Sequence, residues 1–189
     1  SNASSDAGAA SRTTDHWLIP PGPPAAGKAD TTPGVSAMAR CTSAARSVEA
    51  TTRAGSGHPS SSWSAVEIVV ALFFGGVLRY RPGDPAWPGR DRFIMSQGHA
   101  APPPYAVLAD AGYFDRSELD RLREVDSPVQ GHPIQGLMPG VEATTGSLGQ
   151  GLSVGLGHVL GGRLNRLDYR VYVLLGDGEC EAGQIWEAA

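Results

Sequence analysis

Apolar positions recur with helical spacing in two stretches near the start of the chain. From Val35 to about Arg53 helix formers dominate, with Met38, Ala45 and Val48 on one apolar face, and Gly55 ends the run. A second helix follows, where Ser61 or Ser62 can act as the cap. Trp63, Val66, Val69 and Leu72-Phe73 keep the 3.6-residue period until Gly75-Gly76 breaks it. Arg92-Phe93-Ile94-Met95 is a short strand that runs into Ser96-Gln97-Gly98-His99. Ala100 to Ala111 reads as a helix with Pro102, Pro103 and Pro104 confined to its first turn, where a missing N–H costs little. Asp115 caps a short charged helix reaching Glu124, and Asp126 to Thr145 reads as an extended loop. Gly149 to Leu164 is a helix of small residues. Arg170 to Leu175 is the clearest strand, and its unbroken apolar run predicts burial on both faces, as in a parallel sheet. Gln184 to Ala189 resembles the first turns of another helix. Helices alternating with short apolar strands predict an α/β fold, a parallel sheet flanked by helices.

Composition narrows this picture. Hydrophobic residues make up 41% and charged residues 18%, which suits a buried core. The 25 glycines and 15 prolines sit largely in turns between apolar runs, so a loop-rich globular chain is expected and not a disordered one. Residues 1–33 differ: Ser1-Asn2-Ala3 reads as a tag scar, and the rest as a flexible arm broken only by Trp17-Leu18-Ile19. Residues 34–189 form the domain. With no stop signal after Gln184, that domain is expected to be truncated at its C-terminus. A net charge of −4 gives no basic footprint, so nucleic acid is not an expected partner. No apolar stretch is long enough to cross a membrane, and no secretory signal opens the chain. Cys41 and Cys180 read as free thiols, and a cytoplasmic location is expected.

Three features carry candidate chemistry. Gly176-Asp177-Gly178 ends the second strand, where ligands of open α/β sheets bind. A carboxylate there suits Mg²⁺, or Ca²⁺, as a hard oxygen donor, although a bare Gly-Asp-Gly turn reads equally well. Thr144-Thr145-Gly146-Ser147-Leu148-Gly149-Gln150-Gly151 opens a helix, whose free N–H groups attract anions, but glycine-rich turns before helices are common. His58, His99 and His132 each follow a glycine in a loop, and His58 and His132 also precede proline. An imidazole held at a cleft can bind hydroxyls and move protons near neutral pH, while any single one can be a loop histidine bonded to backbone. His158, inside the small-residue helix, reads as structural, and His16 has no supporting context.

Five segments in this order resemble the N-terminal region of transketolases, especially the split type with two separate subunits. They are Ala54-Gly55-Ser56-Gly57-His58-Pro59, Asp91 to Ala100, Gly131-His132-Pro133, Thr145 to Gly151 and Gly176-Asp177-Gly178. The resemblance covers Val35 to Ala189 and implies a thiamine-diphosphate-binding fold. It also implies transfer of a two-carbon ketol unit from a ketose to an aldose, with thiamine diphosphate and a divalent metal as cofactors. His58 and His99 would face the sugar and the thiazolium, with His99 also near the diphosphate. His132 would contact substrate hydroxyls, and Gly146, Ser147, Leu148 and Gly149 would lie along the cofactor. Asp177 would coordinate the metal, Gly178 would give a backbone N–H to phosphate, and Glu187 would join a carboxylate network between paired active sites. The sequence departs from the family at Ala182-Gly183, where Glu-Gly is usual, with Glu181 one place early. The family's second metal ligand, an Asn, lies farther along than this sequence extends. The pyrimidine-binding domain and its cofactor-activating Glu are also outside it, so a pyrimidine-domain partner subunit is expected, with homo-oligomerisation, a sugar substrate with or without phosphate, and no activity alone. Two other readings stay open: another thiamine-diphosphate enzyme, of acyloin or deoxyxylulose-phosphate type, and a non-catalytic partner subunit.

Overall fold

A computed structural model of the protein describes residues 33–189, with side chains from Thr42 onward and that of Ala39. The expectations for the arm, for Trp17-Leu18-Ile19 and for the side chains of Met38 and Cys41 lie outside the described residues. Helix α1 (Pro33–Arg53) precedes α2 (Pro59–Phe74), and β1 (Arg92–Met95) leads to α3 (Pro102–Asp110). Helix α4 (Gln150–Leu164), β2 (Val171–Leu174) and α5 (Gly183–Ala188) complete the order, with 3₁₀ turns at Gly98–Ala100, Arg116–Arg121 and Gly178–Glu181.

The two strands pair in parallel, with Phe93 opposite Tyr172, Ile94 opposite Val173 and Met95 opposite Leu174. Alternation sends the two faces of this ribbon into different layers. Phe93 and Met95 join Val66, Val69, Phe73, Val107 and Leu108 in the main core, with Tyr172 and Leu174 packed against it. Burying each such large apolar side chain stabilises by about 1.5–3 kcal/mol. The other face meets α4 across glycines. A Cβ on Gly155 would lie 2.6 Å from Val173 Cγ2 and 3.5 Å from Val171 Cγ1, and one on Gly151 would overlap Ser96. The result is the α/β arrangement of a parallel sheet between helices.

Several local expectations change. α2 starts at Pro59, with His58 as the N-cap residue, so neither Ser61 nor Ser62 is the cap. Proline at the first position supplies the helical φ and lacks an N–H that would go unpaired there, while Ser62 turns inward and is buried. Trp63 is 61% exposed, off the face built by Ala65, Val66, Val69, Val70 and Phe73. The buried side of α1 is Ser43, Ser47, Ala50 and Thr51 rather than an apolar face through Ala45, which is exposed. Ser47 Oγ donates to Ser43 O (2.7 Å) and Thr51 Oγ1 to Ser47 O (2.9 Å), so these hydroxyls are paired within the helix itself. Their small size lets α1 lie close to α2 and α3, which it contacts. The segment after Asp115 is a 3₁₀ turn, and its cap is as read: the Asp115 carboxylate accepts from Ser117 N at 2.8 Å. β2 is half-buried along its length rather than fully buried. It has β1 on one edge only, and α4 covers it with glycines.

An ion-pair network anchors the strands at their starting ends. Buried Asp91 accepts from Arg79 Nε (3.1 Å), Arg79 N (2.9 Å) and Arg170 N (2.8 Å), tying the starts of β1 and β2 together. Arg90 grips Glu142 through two bonds of 2.9 Å. Such bidentate pairs fix geometry as well as adding energy. With one end of the sheet held in this way, the carboxyl ends of the strands are free to carry loops.

Candidate active site

At the carboxyl end of the sheet three loops meet: Ser96-Gln97-Gly98-His99 after β1, Gly176-Asp177-Gly178 after β2, and the turn that opens α4. Their closeness depends on missing side chains. A Cβ on Gly98 would stand 2.7 Å from Gly146 N and from Thr145 C, and one on Gly176 would press on Gln97 Oε1 at 3.1 Å. Gly146 (φ 142°) and Gly149 (φ 87°) take backbone conformations that L side chains disfavour, and they turn the chain into α4. One residue links all three loops. Glu179, only 3% exposed, accepts from Ser96 Oγ at 2.5 Å and Gly149 N at 2.8 Å through Oε1, and from Gly176 N at 3.0 Å through Oε2. The carboxylate therefore satisfies one of the free N–H groups at the start of α4.

The three loop histidines come together beside this junction. The rings of His58 and His99 meet edge to face with centroids 5.1 Å apart. His132 lies against Gly146, where an added Cβ would sit 2.9 Å from its Cδ2. Partial burial, then the charges of Arg123, His99 and His58, hold the His132 imidazole below its ordinary pKa of 6.5. Neutral His132 is thereby favoured near pH 7, the form able to accept a proton from a hydroxyl.

The other expected residues are placed as follows. Ser147 and Leu148 are exposed beside the α4 start, with Leu148 48% exposed. Asp177 and Gly178 are exposed at the end of β2, and a Cβ on Gly178 would meet nothing within 4 Å. Glu187 is exposed on α5, and no hydrogen bond or ion pair links it to the histidines among the described residues. Ile185 is buried within this chain while Trp186 is 72% exposed, its Nε1 donating to Cys180 O. Among the described residues no three His, Cys, Asp or Glu side chains gather as a cation site.

Two residues were not singled out by sequence reasoning. Glu179 follows Gly-Asp-Gly directly, where an acid reads as a surface charge. Its signal was available only as a carboxylate one turn after a strand end facing a glycine-rich helix start. Arg123 lies near the end of the segment read as a short charged helix, and it reaches Ser56, far off in sequence, as well as Gly131.

Comparison with known proteins agrees with this geometry. The family described as "Transketolase, thiamine diphosphate binding domain" matches residues 37–189. Transketolases of Pongo abelii and Homo sapiens are 50% and 49% identical over 143 residues, which is 75% of this chain and 23% of theirs. The 6-deoxy-6-sulfo-D-fructose transketolase subunit of a Clostridium species is 42% identical over 135 residues, 71% of this chain and 49% of that protein. Among solved structures, transketolase from Leishmania mexicana superposes with a TM-score of 0.71 at 34% identity, covering 82% of this chain and 24% of that one. Transketolase from Campylobacter jejuni gives 0.76 at 30% identity, with 82% and 25% covered. The sequence thus spans about a quarter of the full-length transketolases it matches, and it belongs to the transketolase family as its thiamine-diphosphate-binding domain.

Proposed function

We propose that this domain holds the diphosphate end of thiamine diphosphate in an enzyme that moves a two-carbon ketol unit from a ketose to an aldose, and that it turns over only with a pyrimidine-domain partner chain. The convergence of His58, His99 and His132 carries this reading. Three imidazoles with no carboxylate bonded to them among the described residues suit a polyhydroxylated substrate, and this favours sugar handling over an acyloin-type reaction. Bound thiamine diphosphate would supply the electron sink for breaking and making a carbon–carbon bond beside a carbonyl.

The site's residues suit that group. Gly98, Gly146 and Gly149 let the loops pack closely enough to bring their backbone N–H groups to one place, and a Cβ on Gly178 would meet nothing within 4 Å, so its backbone N–H is open to a phosphate oxygen. Asp177 is an exposed hard oxygen donor at the strand end. A Mg²⁺ or Ca²⁺ there would take further ligands from phosphate oxygens and water, as Mg²⁺ usually does. Gly146, Ser147, Leu148 and Gly149 would line the cofactor, with His99 between it and the sugar. His58 and His132 would bind substrate hydroxyls, and neutral His132 would take up or return a hydroxyl proton. Glu187 would reach a neighbouring active site across an oligomer contact.

The partner requirement is supported by the Clostridium relative, which is named as a subunit. Exposed Leu148, Leu156, Leu160 and Trp186 support association, with a second copy or with the partner. A cytoplasmic location accords with the free Cys180 thiol; among the described residues no helix is long and apolar enough to cross a membrane. The test is a coupled assay with a ketose donor, an aldose acceptor, thiamine diphosphate and Mg²⁺. Turnover is expected with a pyrimidine-domain subunit and none without it. Turnover by the purified chain alone would remove the partner from the proposal, and no turnover with any such subunit would remove the ketol-transfer reading.

A further inference from the structure

The two Gly-His-Pro loops are far apart in sequence and share no hydrogen bond between their histidines, yet they present a common face. Arg123 spans them. Its Nη1 donates to Ser56 Oγ in the first loop. Its guanidinium lies on Gly131 in the second, where an added Cβ would stand 2.7 Å from Nη2 and 2.9 Å from Cζ and would overlap Nε. Only a glycine at 131 leaves room for that plane. The backbone of Arg123 is left-handed, at φ 67°, a conformation uncommon for a residue with a long side chain. It is held by the Arg123 N–H donating to Val129 O at 3.0 Å. Among the described residues no carboxylate pairs with this guanidinium. A glycine or asparagine would fit the turn with less strain, so the turn by itself gives no reason for arginine.

We infer that Arg123 is a positioning residue for the substrate side of the site: it locks the Ser56–Pro59 and Gly131–Pro133 loops together and sets the orientation of His132. The inference rests on the proposed role of His58 and His132 in sugar handling. Its charge has a second effect. The groups facing His132 are Arg123, His99 and His58, all cations when protonated, and Arg123 is the first of them in lowering the imidazole pKa, after burial. The same side chain thus orients the ring and, after burial, helps to lower its pKa.

Three variants of the full chain separate these roles, read by histidine NMR titration and by kcat and KM with the pyrimidine-domain subunit. Arg123→Gly relieves the turn but removes the guanidinium. We expect the His132 pKa to rise part of the way to 6.5, and kcat/KM to fall about 10–100-fold, the scale for a slightly misplaced group, with thiamine-diphosphate affinity unchanged. Arg123→Lys retains charge but cannot lie flat on Gly131 while reaching Ser56. It should leave the His132 titration near the parent value and still lower kcat/KM. Ser56→Ala removes only the far end of the link and should lower kcat/KM several-fold with thermal stability unaltered, so it tests the strut even if Arg123→Gly folds poorly. Parental titration and turnover in Arg123→Gly, or parental turnover in Ser56→Ala, would overturn the inference. If the parent chain shows no turnover with any partner, the ketol-transfer reading fails instead. The His132 ring shifts in Ser56→Ala, where no charge changes, then decide the positioning role by themselves: displaced shifts support it and parental ones overturn it.

Discussion

The two sides of the site are built by opposite means. The histidine side is open: His58, His99 and His132 meet with Arg123 at its edge, and among the described residues no carboxylate bonds to any of them. The side proposed to hold phosphate is closed around the buried Glu179 side chain, which takes one hydroxyl and two backbone N–H groups from three different loops. The first side is held by surface contacts that cost the fold little to lose. The second is part of the fold's interior, where an unpaired polar group is expensive. Substitutions on the first side should therefore change chemistry without stability, and on the second the loss of Glu179 should change both.

The largest effect is expected on the open side. His58→Ala and His132→Ala should each lower kcat/KM by about 10²–10⁴-fold, the usual scale for a positioned acid–base group, while unfolding free energy stays within about 0.5 kcal/mol of the parent. Denaturant melts and steady-state kinetics on the assembled enzyme check the pair. A loss of stability matching the loss of rate would dissolve the contrast.

Next comes a comparison of two acids only two positions apart. Glu179→Ala strands Gly149 N, Gly176 N and the Ser96 hydroxyl, and should destabilise the chain by about 3 kcal/mol, at about 1 kcal/mol for each lost partner. Asp177→Ala removes an exposed side chain that makes no capping bond. It should leave stability within about 0.5 kcal/mol of the parent and abolish Mg²⁺-dependent cofactor binding in calorimetry. Equal melting temperatures for the two variants would show that Glu179 is not structural. Unchanged cofactor affinity in Asp177→Ala would remove that residue from the metal site.

A smaller effect is expected at Gly98→Ala, which pushes a methyl to 2.7 Å from Gly146 N and Thr145 C. Backbone cannot yield as a side chain tip can, so a cost of about 1–3 kcal/mol follows. A neutral result would mean that the contact between these loops is looser than the distances indicate.

The smallest effect is a pH dependence. The folded pKa of His132 is depressed, so the unfolded chain binds its proton more readily. The contribution to stability is complete above the unfolded value of 6.5 and is lost as pH falls from there through the folded pKa. Thermal melts across that window should show a slight acid-side loss that is absent in His132→Gln. A parallel loss in both proteins would assign it to other groups.

The legible and illegible parts divide along similar lines. β1 was readable to the residue because Arg92 to Met95 is a short apolar run between turn signals. The histidine loops were readable because glycine and proline fix local backbone. The buried face of α1 was not, since Ser43, Ser47 and Thr51 look polar until the Ser47 and Thr51 hydroxyls are seen bonding within the helix. Trp63 misled for the opposite reason: its spacing suits the core, yet it stays exposed. Glu179 and Arg123 act in part through contacts 30 to 83 and 67 residues away, respectively, and no local pattern encodes such partners.

The glycine notches of α4 have a mechanical consequence. Gly151 and Gly155 lie one helical turn apart, and each touches the sheet, at Ser96 and at Val173. Two bearing points fix both the height and the tilt of a rod. Gly149 is six residues from Gly155, about 9 Å along the axis at 1.5 Å per residue, and so sits at the end of a lever. A methyl at Gly155 would lift the far bearing, and the helix would pivot about Gly151. The tip that meets Glu179 would swing out of line although nothing in the site itself had been altered. The alignment of these loops is therefore stored in a contact that lies outside them.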